Sequence, residues 1–227
     1  MLSASHPFRL MKMSPLIICS KKLEKRLDYL ASGVARAKLA RAQSVQMDQV
    51  ARQEGLVSAL WQSWCGFIRS VILQSAVGAT TSGGAQTTSP YAALNINQIR
   101  NIAAKAARRN NIPAVITPIG GFHNEPTWGD INRATLIVNA LNPSNSGNIL
   151  SGLGILTFGK DLQIVRNAAA HLSTDRILDI RNLQLKYINT SFRHPTDALF
   201  WTEGSTGNDA WEIWIDELRA SATSIVS

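Results

Sequence analysis

The longest apolar recurrence in the chain joins Leu56, Val57, Leu60, Trp61, Trp64, Phe67, Ile68, Val71 and Ile72 at steps of one, three and four, placing them along one side of an α-helix. It predicts a central core helix over residues 44–77. Trp61 and Trp64 are packing residues in it, because they share the stripe with the aliphatics. Upstream, Leu23, Leu27 and Leu30 turn inward from a helix that begins near Pro15 and runs past Gly33 to Ala42. Its outer face carries Lys21, Lys22, Lys25, Arg26, Arg36, Lys38 and Arg41, a surface that serves either solvation or tracking of a polyanion.

Beyond the core helix the pattern is punctuated. Residues 78–89 are rich in Gly, Ser and Thr and predict a flexible loop. It is no phosphate-gripping loop, since no strand precedes it and no Gly-Lys-Ser or Gly-Lys-Thr follows. Asn95 or Asn97 caps a helix reaching Arg109, with Ile99, Ile102, Ala103 and Ala106 inward and Arg100, Lys105, Arg108 and Arg109 outward. Residues 110–128 hold Pro113, Pro118, Gly120, Gly121 and Pro126 and predict an irregular connection, with a short extended piece over 113–118 and His123 as a loop histidine. Asp130 caps a helix carrying Ile131, Ala134, Ile137, Val138 and Leu141, which stops at Asn142-Pro143. A second glycine-rich linker is expected over residues 144–154.

From about Thr157 a further helix shows an apolar stripe of Phe158, Leu162, Val165, Ala169 and Leu172. Ser173, Thr174 or Asp175 caps the next, with Ile177, Ile180, Leu183, Leu185 and Tyr187 apolar. His194-Pro195 opens a turn and residues 198–201 read as extended. The last helix, residues 208–222, carries Trp211, Ile213, Trp214, Ile215 and Leu218, too much apolar surface for a solvated tail, so it packs on the core or on another chain. The whole predicts an all-α fold, a helical bundle with long irregular loops. Residues 1–14 lack any sustained period and form a flexible N-terminal segment, and residues 15–227 form one domain.

Composition narrows the partners. A net charge of +8 and a pI near 9.9 suit a polyanion such as RNA, through counterion release and long-range attraction. Cys19 and Cys65 stand far apart with no nearby His or Cys, so no metal site is expected and a reducing, cytoplasmic compartment fits. The short run Leu16-Ile17-Ile18 before Cys19 falls below the roughly 7 to 15 residues of a secretory core. No apolar run was expected to span or anchor in a membrane.

Candidate chemistry lies at the end of the helix after Thr157. Asn167 and His171 are one helical turn apart on the face opposite the apolar stripe, and Arg166 sits at its edge on a long stem. Ala168, Ala169 and Ala170 lie between them, small enough to let a second backbone approach. An imidazole can move protons near neutral pH, a guanidinium can hold a phosphate in a fixed fork, and an amide can fix the imidazole's tautomer or contact a ribose.

Arg166-Asn167 followed by His171 late in a helix resembles the signature of the HEPN superfamily. The long aromatic-rich upstream helix, with a break after it, is similar to the RiboL-PSP type of HEPN domain. The resemblance implies a helical bundle of the HEPN type and a metal-independent, cofactor-free endoribonuclease in which Arg166, Asn167 and His171 are catalytic. It also implies a homodimer, or pairing with a second HEPN-like subunit, so that two copies of the motif line one cleft. Toxin-like or antiviral-defence roles, with an antitoxin or activating partner, follow from the resemblance alone. Lys105, Arg108 and Arg109 are the expected RNA-binding residues. Family members often carry an acidic residue on the long helix; Asp48 and Glu54 are available, and the sequence selects neither. The alternative is a non-catalytic HEPN-fold subunit that holds RNA or scaffolds a complex, for which Trp211 and Trp214 would offer a partner surface.

Overall fold

A computed structural model describes residues 15–40, 46–120 and 124–227. The expected flexible segment 1–14, Arg41 and His123 lie outside the described residues. The fold is all-α: α1 Ile17–Ala40, α2 Gln46–Val77, α3 Ile96–Ala107, α4 Ile131–Leu141, α5 Ser146–Ile155, α6 Gly159–Ala170, α7 Thr174–Gln184 and α8 Ala210–Val226. A 3-10 helix over Pro195–Phe200 and a two-residue antiparallel pair, β1 Tyr187–Ile188 with β2 Thr202–Glu203, fill the segment between α7 and α8.

The stripe on α2 is the centre of the core. Val57, Leu60, Trp61, Trp64, Phe67, Ile68, Val71 and Ile72 are all buried, so both tryptophans pack as expected. Leu56 is only half-buried, against α1. α1 runs antiparallel along α2: the Leu16 N–H bonds to the Thr80 carbonyl at one end, and Gly33 lies against Leu56 towards the other. α3 packs on α4 and α2, α6 on α2, α7 and the 3-10 helix, and α8 on α5 and α1. Over Met47–Val77, α2 is long and apolar enough to cross a membrane, which corrects the expectation that no run would reach that length. Its apolar side is occupied by the other helices.

Helix starts follow cap chemistry. Asn95 accepts from the Asn97 and Gln98 amides, which selects it over Asn97, Asp130 accepts from Arg133, and Ser173 from Arg176. Four expectations are corrected. Residues 146–155 form α5 rather than a linker, because Ile149, Gly152 and Leu153 are buried on α8. A Cβ at Gly152 would stand 2.4 Å from Ile225 Cγ1, so the glycine permits a close helix crossing. Residues 198–201 belong to the 3-10 helix and its exit, not to an extended run. On α6 the buried alanine is Ala168, while Ala169 is half-buried and Leu172, beyond the helix end, is 64% exposed. Arg100 points inward rather than outward: with Arg69 it clamps Glu125, whose second oxygen also accepts from Trp128 Nε1 at 2.9 Å. Burial opposes ionisation of Glu125, but those hydrogen bonds and both guanidinium charges outweigh it and bring its pKa down to about 2.

Candidate active site

Four elements hold α6 in place. Its first amides have no cap of their own; instead Glu217 of α8 accepts the N–H groups of Thr157, Phe158 and Gly159 at 3.2, 2.7 and 2.9 Å. Burial, with the nearby Asp161 charge, pushes Glu217 above the usual carboxylate range despite these amides. Asp161 is fully buried and accepts from Tyr187 Oη at 2.8 Å and Lys186 Nζ at 2.9 Å, while Trp214 Nε1 donates to the same tyrosine oxygen at 3.3 Å. Burial and the Asp161 charge raise the tyrosine's pKa far above its ordinary value, so the hydroxyl stays protonated and donates. Gln163 Nε2 reaches the Asp130 carboxylate at 3.1 Å, which ties α6 to the start of α4. Leu162, Val165 and Ala168 complete the anchorage on the core side.

At the far end, α6 stops at Ala170, and His171 takes the cap position with φ −145° and ψ 84°, its N–H bonded to the Asn167 carbonyl at 3.0 Å. The imidazole is exposed and makes no hydrogen bond or ion pair to the described residues. The expected amide-to-imidazole bond is therefore absent among them. Asn167 Oδ1 accepts instead from Arg166 Nη1 at 3.1 Å. Arg166 Nε is buried with no partner, a donor left without an acceptor.

Arg166, Ala169 and Ala170 form one wall of an open groove of about 350 Å³, and Ala51, Glu54, Gly55, Val57 and Ser58 of α2 form the other. Of the two acidic candidates on α2, Glu54 is the one that lines this groove. Glu54 Oε1 also lies 3.3 Å from Nε2 of His194, which caps the 3-10 helix. The turn role expected of His194 is thus real, and the pairing with Glu54 is additional. Sequence spacing carried no signal for it, since the two residues meet only because α2, α6 and the 3-10 helix pack together. Burial raises the Cys65 thiol to about 11, against a backbone hydrogen bond from Gly129 and the Arg166 charge.

Lys105 and Arg108 line a second groove, of about 270 Å³, with Asn101, Asn110, Pro118 and Asn124. Arg109 is exposed at φ 56° and does not line it. Trp211 and Trp214 are buried in this chain, so they provide no partner surface, and α8 packs on the chain's own core. No group of three His, Cys, Asp or Glu gathers in metal-binding proximity among the described residues. Compared with protein-family models, curated proteins and solved structures, the chain matches none.

Proposed function

We propose that the protein is a metal-independent endoribonuclease of the HEPN type, with the groove beside Arg166 as the place where RNA is cut. The observation that carries this is the guanidinium of Arg166: one nitrogen bonds to Asn167, another is buried without an acceptor, and the side chain lines an open groove five residues before an exposed imidazole. RNA brings its own nucleophile in the ribose 2'-hydroxyl, so the protein supplies charge stabilisation, positioning and proton transfer. Arg166 offsets the charge that grows on the phosphate in the transition state, and His171 exchanges a proton with an oxygen of the scissile link. Asn167 fixes the guanidinium plane, a different task from the one its spacing suggested. Lys105 and Arg108 hold the strand elsewhere through its phosphates.

A second copy of the chain is part of the proposal. Leu172, Leu178, Leu185 and Ile188, in and around α7 directly after His171, are 64%, 51%, 88% and 52% exposed, apolar surface that a second copy would cover. The same residues are what favours the second reading, an assembly subunit with no activity. Arg166→Ala and His171→Ala decide between the two when purified protein is incubated with RNA in chelator. Each substitution is expected to lower cutting by about 10²-fold or more while the fold persists. Undiminished cutting in both, or none by the parent protein, leaves only the assembly role.

A further inference from the structure

We infer that Glu54 and His194 form a proton-capturing pair in the Arg166 groove, with Glu54 as a catalytic residue and His194 as the positioning residue behind it; this rests on the nuclease function proposed above. Cleavage through the 2'-hydroxyl needs two proton transfers, and His171 supplies one imidazole. Glu54 lines the Arg166 groove and is able to take a proton, and His171 follows directly on Ala170 of the opposite wall. The Glu54 carboxylate is 42% exposed and shares the lining with Arg166, whereas the ring of His194 is only 18% exposed.

The hydrogen bonds around His194 determine which ring nitrogen is available. The Thr196 hydroxyl lies 2.9 Å from both Gln53 Oε1 and His194 Nδ1. Nδ1 accepts the Thr196 N–H at 3.4 Å, the bond by which His194 caps the 3-10 helix, so this nitrogen carries no hydrogen. Gln53 and Thr196 are both buried, which fixes the ring further, and Asp197 accepts the Arg193 and His194 amides at 2.8 and 3.0 Å. Nε2 then carries the hydrogen and donates to Glu54 Oε1 at 3.3 Å, which holds the carboxylate in place at the groove.

The 2'-oxygen bonds to phosphorus as its hydrogen passes to the Glu54 carboxylate, which the Nε2–H of His194 holds in position. The bond from phosphorus to the 5'-oxygen breaks as that oxygen takes a proton from His171. The products are a 2',3'-cyclic phosphate and a 5'-hydroxyl, and the protein ends with one proton moved from His171 to Glu54. Arg166 holds the phosphate throughout. A single chain thus carries both proton-transfer groups, and the second copy serves assembly or RNA holding.

A double-substitution cycle on the full chain, cutting RNA in chelator, tests the pair. Glu54→Gln, an exposed and nearly isosteric change, is expected to lower turnover by about 10²-fold with RNA affinity unchanged. His194→Ala is expected to lower turnover by about tenfold, also without a change in KM, and the double variant to be no slower than Glu54→Gln alone. Because His194→Ala also removes a cap, its thermal midpoint is recorded beside the parent's. Nitrogen-15 NMR of the imidazoles gives a readout independent of cutting: His194 is expected with its hydrogen on Nε2. Active parent protein with undiminished Glu54→Gln, losses that multiply in the double variant, or a ring protonated at Nδ1 alone would each overturn the pair and leave the nuclease reading standing. An inactive parent overturns both.

Discussion

Glu125 offers the sharpest test of the energetics, because two arginines and a tryptophan converge on one buried carboxylate. Its side chain is 8% exposed and those of Arg100 and Arg69 are 10% and 31% exposed. A carboxyl whose pKa falls from 4.5 to about 2 on folding contributes about 3 kcal/mol above both values, at about 1.4 kcal/mol per tenfold change in acidity. Glu125→Gln removes that charge from two guanidiniums, and breaking a buried pair costs about 3–5 kcal/mol by a separate route, so the two sizes agree. The sign is that of a depressed carboxyl: the contribution is present above 4.5, fades as pH falls, and is gone below about 2. Urea unfolding at pH 7 is expected to show the variant about 3 kcal/mol less stable, with a thermal midpoint about 6–12 °C lower for a domain of this size. At pH 3 the gap between the two proteins should have narrowed to about half. A gap that stays constant between pH 7 and pH 3, or one under about 1 kcal/mol at pH 7, would refute the clamp as a source of stability.

Gly152→Ala is expected to destabilise by about 1–2 kcal/mol, since overpacking against Ile225 outweighs the gain of up to about 1 kcal/mol in helix propensity; Gly147→Ala, in the same helix with open space around it, should stabilise, and chemical unfolding of both variants reads the contrast. Glu217→Ala should cost about 1–2 kcal/mol and speed hydrogen exchange at the Phe158 and Gly159 amides selectively; unchanged exchange there would contradict the capping role. Lys105→Ala with Arg108→Ala should weaken binding of single-stranded RNA and flatten the dependence of affinity on salt by about 0.7 for each lost contact, measured by titration at several ionic strengths.

Periodicity and cap chemistry carried most of the fold. The α2 stripe, the Asn95, Asp130 and Ser173 caps and the inward side of α8 were all legible, because each depends on residues within a turn or two of one another. The failures share a cause. α5 looks like a linker because glycine is penalised locally, whereas Gly152 is needed by a helix that arrives from the other end of the chain. Arg100 sits at a position that solvates in an isolated helix, and only the loop carrying Glu125 draws it inward. At the candidate site, Arg166, Asn167 and His171 were visible as a local pattern, and their place at the end of α6 agrees with it. Their partners were not visible. Glu54 and His194 come together through packing, just as Gln53 and Thr196 meet across 143 residues, and no window along the chain contains both.

The capping of α6 by Glu217 has a bearing on biosynthesis. Glu217 follows the last amide it receives, that of Gly159, by 58 residues, so a ribosome releases the motif well before the side chain that secures the start of its helix. A polypeptide interrupted between the two lacks α8, and the Thr157, Phe158 and Gly159 amides are then left without this acceptor.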